Sequence, residues 1–226
     1  MKKSASPAFA QALFALAAVA AVSVWSYHIH RLMLTMRTGV FAPGRVLQRN
    51  ALNYAVPVAA MLLLALLERA VFRTPLPSSL GLAPKQFLPA MKNNALILPA
   101  LLIGAAVSSF LRLTFGTWDR GYSPWLQLPV QAIVAVSEEL IFRGYAQPRF
   151  AKLFGGWGGV ALSAFLFATV HLPDQIFIQR TAAAALLARS ALMFAGGLLL
   201  GALAKRDKSV WGAVPAHWAL NMCGVY

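Results

Sequence analysis

The sequence predicts an all-α protein: a polytopic membrane helical bundle of about seven transmembrane or partly embedded helices, forming a single integral membrane domain over residues 1–226. Three observations carry this. Hydrophobic residues make up 59% and charged residues 12% of the chain, and the mean hydropathy is +0.66, far from the averages of soluble domains. Apolar stretches approaching the roughly 20 residues needed to cross about 30 Å of hydrocarbon recur along the chain. The net charge of +14 sits mostly in the connections, where it reads as membrane anchoring and not as a nucleic-acid surface.

Taken in order, the first stretch, Pro7 to Tyr27, follows Lys2 and Lys3 and contains Ala18-Val19-Ala20, which resembles a signal-peptide cleavage site. The apolar run continues past it through Val22, Val24 and Trp25, which fits a retained helix. Ala51 to Leu67 is the second stretch. The polar connection from Glu68 to Asn94 holds Pro75, Pro77, Pro84 and Pro89 and ends in a juxtamembrane amphipathic piece over Lys85 to Lys92. Ala95 to Leu111, Trp125 to Phe150, Trp157 to His171, Ala182 to Ala204 and Val210 to Tyr226 complete the set. The fifth and seventh are short and suit re-entrant or partly submerged elements.

With the N-terminus inside, one face collects Lys2, Lys3, Arg69, Arg73, Lys85, Lys92, Arg149, Lys152, Lys205, Arg206 and Lys208, eleven charges. The other collects seven: Arg31, Arg37, Arg45, Arg49, Arg112, Arg120 and Arg180. This excess favours a cytoplasmic N-terminus. It puts the Arg149 to Gly156 connection on the same side and the end of the chain on the opposite face. The single cysteine, Cys223, excludes an internal disulfide. Cys223-Gly224-Val225-Tyr226 has the outline of a prenylation box, but Gly and Tyr fit it poorly.

Only six residues are acidic, and two of them, Glu138 and Glu139, lie adjacent in the uncharged apolar run that ends at Phe142, with Arg143 next. An ionisable group at bilayer depth costs about 2.5–3.5 kcal/mol on insertion scales and faces a bundle interior or a wet cavity. On a helix, Glu139 and Arg143 are four apart, about 40° around, and can pair; Glu138 and Arg143 are five apart, about 140° around, and pair poorly. Glu139 is therefore the candidate for an ion pair, leaving Glu138 free to face a cavity. A buried structural network of all three charges is the alternative.

Two further pairs at helical spacing follow, Phe167 with His171 and His217 with Asn221. A lone intramembrane His is commonly an interhelical hydrogen-bonder. One carboxylate, two imidazoles and one carboxamide on three helices are, together, the parts needed to activate water and stabilise a tetrahedral oxyanion. His28 and His30 sit beside Arg31 at a membrane boundary and suit solvated interfacial roles. Ser137 lacks a Gly-x-Ser-x-Gly elbow, and no His-Glu-x-x-His run occurs. Arg189, inside the sixth stretch, either lines the cavity or pairs with a lipid headgroup.

Ser137-Glu138-Glu139-Leu140-Ile141-Phe142-Arg143-Gly144, Phe167-Ala-Thr-Val-His171 and His217-Trp-Ala-Leu-Asn221 resemble, in order, the Glu-Glu-x-x-x-Arg, Phe-x-x-x-His and His-x-x-x-Asn motifs of the CAAX-protease and bacteriocin-processing family. This family is also called CPBP, Abi or Rce-type. The resemblance covers 79–226 as a catalytic core, with Leu80-Gly81-Leu82 and the Gly196-Gly197 to Gly201 region also similar; the N-terminal helices, 1–78, are not diagnostic.

The resemblance implies an intramembrane glutamic endopeptidase. Glu138 and His171 would activate water, His217 and Asn221 would stabilise the oxyanion, and Glu139, Arg143 and Phe167 would support the site. Older descriptions call such proteins metalloproteases, and Glu138, His171 and His217 are also a conceivable zinc set. Asn221 is a poor zinc ligand but a good donor, which favours a site without cofactor. The implied partners are the lipid bilayer and a peptide or protein substrate with a membrane-embedded segment near the scissile bond, with no nucleic acid. The Ala- and Arg-rich composition suggests a high-GC bacterium and its inner membrane. The alternative to an enzyme is a polytopic scaffold, an immunity protein or a proton-coupled transporter using the same buried groups. No inverted repeat with matched broken helices speaks for the transporter.

Overall fold

The computed structural model describes residues 7–36, 45–73, 80–114 and 124–223. Lys2, Lys3, Arg37, Pro75, Pro77, Ser79, Arg120, Gly224, Val225 and Tyr226 lie outside them. Among the described residues eight α-helices follow one another: α1 (Pro7–Thr35), α2 (Val46–Phe72), α3 (Phe87–Asn93), α4 (Ile97–Thr114), α5 (Pro124–Glu139), α6 (Gln147–Thr169), α7 (Ala183–Asp207) and α8 (Ala213–Cys223). Leu140–Ala146 and Asp174–Ile178 are π-helical turns that join α5 to α6 and follow α6. No strand occurs among the described residues. The all-helical membrane bundle read from hydropathy is the fold observed.

Among the described residues four helical stretches are long and apolar enough to cross a membrane, or five if the pair Pro84–Asn93 and Ile97–Ser108, bent by 74°, forms one span. The expected count of about seven transmembrane or partly embedded helices stands, with the fourth and fifth stretches joined in one run and the seventh short. The stretch Trp125–Ile178 is 54 residues long, about 80 Å at 1.5 Å per residue, far more than one crossing needs. The chain turns within it at Gly155, whose φ of 74° and ψ of 168° break the helix. A left-handed φ costs glycine nothing because it has no Cβ. The break falls between the fourth and fifth stretches of the sequence reading. α8 has 11 residues, about 16 Å, less than a full crossing needs, in line with the short, partly submerged seventh stretch.

Side-chain contacts sort the helix ends. Lys152 Nζ donates to Gln11 Oε1 at 2.5 Å, Arg149 Nε donates to Glu68 Oε2 at 2.6 Å, and Lys205 Nζ lies 4.5 Å from the Trp157 ring centroid. Arg206 Nη2 donates to Asn94 Oδ1 at 2.8 Å, and Asn93 and Asn94 donate to the two oxygens of Asp207. The start of α1, the end of α2, the turn after α3, the Arg149–Gly156 connection and the end of α7 thus meet at one end of the bundle. At the other end His30 pairs with Asp174 at 2.9 Å, and Tyr27 meets Phe177 edge-on at 6.1 Å.

Glu68 and Arg149 depart from the sequence reading, which put them in a polar connection and among the anchoring charges. Glu68 belongs to α2, and both side chains are buried in the bundle. Arg149 also covers the Tyr145 ring at 3.7 Å and donates to the Tyr145 carbonyl. In a medium without water to solvate it, each charge is tolerable because the other is there, and the pair ties α2 to α6.

Candidate active site

α5 carries Glu138 and Glu139 at its last two positions, directly before the π-helical turn. A π turn widens the helix by one residue and is frequent at functional sites. Here it lets the Phe142 carbonyl accept both the Gln147 backbone N–H and the Ser163 hydroxyl, the latter at 3.0 Å. Gly144, inside the turn, lies against Leu80: a Cβ there would stand 2.4 Å from the Leu80 carbonyl oxygen. The segment at Leu80 is packed on the site for that reason, and the Val210 N–H donates to the Gly81 carbonyl at 3.1 Å.

Glu139 is fully buried. Its Oε1 accepts from Arg143 Nη1 at 2.8 Å, the i,i+4 pair expected from the spacing, and lies 2.8 Å from His217 Nδ1. Arg143 Nη2 also donates to the Gly197 carbonyl on α7 at 3.2 Å. A carboxylate held by a guanidinium can only accept, so the ring proton of His217 belongs on Nδ1. This carboxylate–imidazole contact was not legible in the sequence, since Glu139 and His217 are 78 positions apart.

Glu138 is 7% exposed and faces the cavity. Its two oxygens lie 4.0 Å from His171 Nε2 and 3.6 Å from His217 Nε2. Both distances exceed a hydrogen bond, and the first leaves room for a bridging water. His171 Nδ1 is 2.8 Å from the Phe167 carbonyl; because a carbonyl only accepts, Nδ1 carries the proton and Nε2 presents a lone pair toward Glu138.

Phe167 is the hub of these groups. Its buried ring meets Phe142 and His171 edge-on at 5.2 Å and His217 at 5.7 Å, and it receives the Arg143 guanidinium at 4.5 Å. α8 is held against α5 by Trp218 Nε1, which donates to the Leu128 carbonyl at 3.0 Å, and against α4 by the Ser108 hydroxyl, which donates to the Cys223 carbonyl. These bonds place His217 and Asn221 beside the cavity.

The cavity has a volume of about 700 Å³ and is lined by Glu138, Phe167, His171, His217, Asn221 and Arg189, among others. The structure therefore brings together the four residues read as chemical, and it puts Arg189 on the cavity wall. Arg143 and Glu139 sit behind this wall. His30, read as a solvated interfacial group, instead pairs with Asp174, itself a cavity-lining residue. The hint in the sequence was the scarcity of acids: Glu68, Asp174 and Asp207 each have a specific partner.

No group of three His, Cys, Asp or Glu among the described residues is arranged to hold a metal ion. The separations of 3.6 and 4.0 Å around Glu138 are wider than the roughly 3.3 Å between two donors of a tetrahedral zinc site with bonds of about 2.0–2.1 Å.

Residues 120–223 match the family model described as Rce1-like, the type II CAAX prenyl endopeptidase family. All three motifs lie within the match, in keeping with the CPBP/Rce-type family, whose activity is that of an intramembrane CAAX protease. The long apolar helices are those of an integral membrane protein, and the family that this segment resembles is one of proteases. No curated protein and no solved structure matches the chain.

Proposed function

From this Rce1-like segment we propose an intramembrane endopeptidase of the glutamic type, which hydrolyses a peptide bond in a membrane-associated peptide or protein. The observation that carries the reading is the approach of two imidazole Nε2 atoms to the two oxygens of one cavity-facing carboxylate, at 4.0 and 3.6 Å.

A water between Glu138 and His171 has two proton acceptors, a carboxylate oxygen and the Nε2 lone pair. As its oxygen attacks the scissile carbonyl, its proton passes to Glu138, and the carbonyl π electrons move onto oxygen. Asn221 supplies a neutral amide donor to that oxyanion. His217, oriented by Glu139 through Nδ1, is assigned the second position beside that oxyanion. Collapse of the tetrahedral adduct breaks the C–N bond, and the proton held by Glu138 goes to the leaving amine.

The site is read as metal-free, with the wide donor spacing and the carboxamide of Asn221 in support. The catalytic core is taken to begin near Leu80, whose packing on Gly144 supports that boundary. The bacterial inner membrane is the proposed location.

The test is Glu138→Gln in purified protein against a membrane-anchored peptide substrate. Cleavage should be abolished while the thermal unfolding curve stays close to that of the parent. Full cleavage by the variant would exclude Glu138 as the base, and a biological role surviving the substitution would favour the scaffold alternative.

A further inference from the structure

A second pocket lies apart from the catalytic cavity, at the bundle end where the Arg149–Gly156 connection meets the end of α7. It encloses about 250 Å³ and is lined by Arg143, Gln147, Gly156, Lys205, Lys208 and Ser209, among others. Buried polar groups make up part of its wall. Arg143, Gln147 and Ser209 are 2%, 5% and 3% exposed, and each leaves one polar atom without a hydrogen-bond partner: Arg143 Nε, Gln147 Oε1 and Ser209 Oγ. A buried donor or acceptor left unpaired is costly unless an occupant or water completes it. Three of them around one pocket point to an occupant.

The neighbours fix what each atom can take. Gln147 Nε2 donates to the Gly201 carbonyl at 2.9 Å, so the free atom of this amide is its oxygen, which only accepts. Arg143 Nε only donates, and the Ser209 hydroxyl can donate. Lys205 and Lys208 stand at the rim, and among the described residues neither has a carboxylate within ion-pair distance. Gly156 makes room for the first of them: a Cβ there would stand 2.7 Å from Lys205 Cε. No acidic side chain among the described residues lines the pocket. Two buried donors and two rim cations suit phosphate oxygens, and the lone acceptor suits a hydroxyl carried by the same ligand.

The setting selects a lipid as the source of that phosphate. Phe154 and Trp157, 58% and 66% exposed, lie on either side of the Gly155 break, and Lys205 Nζ is 4.5 Å from the Trp157 ring centroid. Exposed aromatic rings beside a cation at a helix end belong to a membrane–water interface, and basic pockets between membrane helices take anionic headgroups. A volume of about 250 Å³ is below the roughly 300–1,000 Å³ of drug-sized ligand pockets, which leaves room for a headgroup and not for a peptide.

We propose that this pocket binds an anionic phospholipid with a hydroxylated headgroup, of the phosphatidylglycerol class. The phosphate receives Arg143, Ser209 and the two lysines, and a headgroup hydroxyl donates to Gln147 Oε1. The site is independent of the endopeptidase reading, since binding is measured without cleavage.

The experiment uses full-length protein in neutral detergent titrated with dioleoyl phosphatidylglycerol, with affinity read from the thermal shift of each protein against its own lipid-free curve. Phosphatidylglycerol should raise the unfolding temperature, and phosphatidylcholine and inorganic phosphate should leave it unchanged. Ser209→Ala, and separately Lys205→Gln with Lys208→Gln, should each weaken phosphatidylglycerol binding about tenfold or more. Lys85→Gln with Lys92→Gln, which removes two exposed cations outside the pocket, should bind as the parent does. Phosphatidylmethanol, an anionic phosphodiester without a headgroup hydroxyl, should bind about threefold or more weaker. No shift with phosphatidylglycerol, an equal shift with phosphatidylcholine, or parent-like affinity in either pocket variant overturns the proposal. Equal losses in the Lys85, Lys92 control and the Lys205, Lys208 variant overturn it in favour of general surface charge. An equal shift with inorganic phosphate overturns it in favour of a soluble anion, and equal affinity for phosphatidylmethanol overturns the role given to Gln147.

Discussion

Replacing Glu139 with Gln separates the roles of the two adjacent carboxylates. Glu139 is fully buried, and its Oε1 serves Arg143 and His217 at 2.8 Å each. The substitution is nearly isosteric, so no cavity forms; what changes is charge. Arg143 is left buried with the Gly197 carbonyl at 3.2 Å and a neutral amide in place of its counter-ion. Breaking a buried ion pair from one side costs about 3–5 kcal/mol, or about 150- to 5,000-fold in the ratio of folded to unfolded protein. The amide also removes the charge that fixes the proton on His217 Nδ1, so turnover should fall beyond what lost folding explains. Denaturant or thermal unfolding in micelles measures the first effect, and kcat of the remaining folded fraction measures the second. A double variant, Glu139→Gln with Arg143→Met, should be less unstable than the sum of the single changes, because it leaves no buried charge unpaired. A loss under about 1 kcal/mol for Glu139→Gln, or strictly additive effects in the double variant, would refute the buried pair as the reason this carboxylate is present.

Asn221→Ala should lower kcat by about 10²- to 10³-fold, the typical cost of an oxyanion donor, with KM nearly unchanged; a raised KM at constant kcat would make Asn221 a substrate-positioning group instead. Chelator treatment should leave activity intact, whereas stoichiometric zinc, with activity lost on stripping and regained on its return, would make Glu138, His171 and His217 ligands. In a Cys223→Ser background, cysteines placed at Ser4 and Lys152 should label from the same membrane face, as the Gln11–Lys152 contact requires; labelling from opposite faces would break this arrangement of the helices.

Hydropathy alone determined the helical membrane bundle, because a chain with this many apolar residues has to satisfy its backbone within helices once it is in lipid. Helical periodicity also determined the Glu139–Arg143 pair and the shared face of His217 and Asn221, since residues four apart are neighbours whatever surrounds the helix. The break near Gly155 was legible as the gap between two apolar stretches, although its left-handed backbone was not. Contacts between residues distant in the chain were decided by packing. The meeting of Glu139 with His217, the burial of Glu68 against Arg149, and the position of Phe167 under both histidines each depend on which helix lies beside which. Arg189 shows the division most sharply: its sequence context fits a lipid-facing charge and a cavity charge equally well. Which of the two it becomes depends on the rotation of α7 about its own axis and on the π-helical turn that brings Gln179 to it, quantities set by tertiary packing, on which the pattern of residues along one helix carries no information.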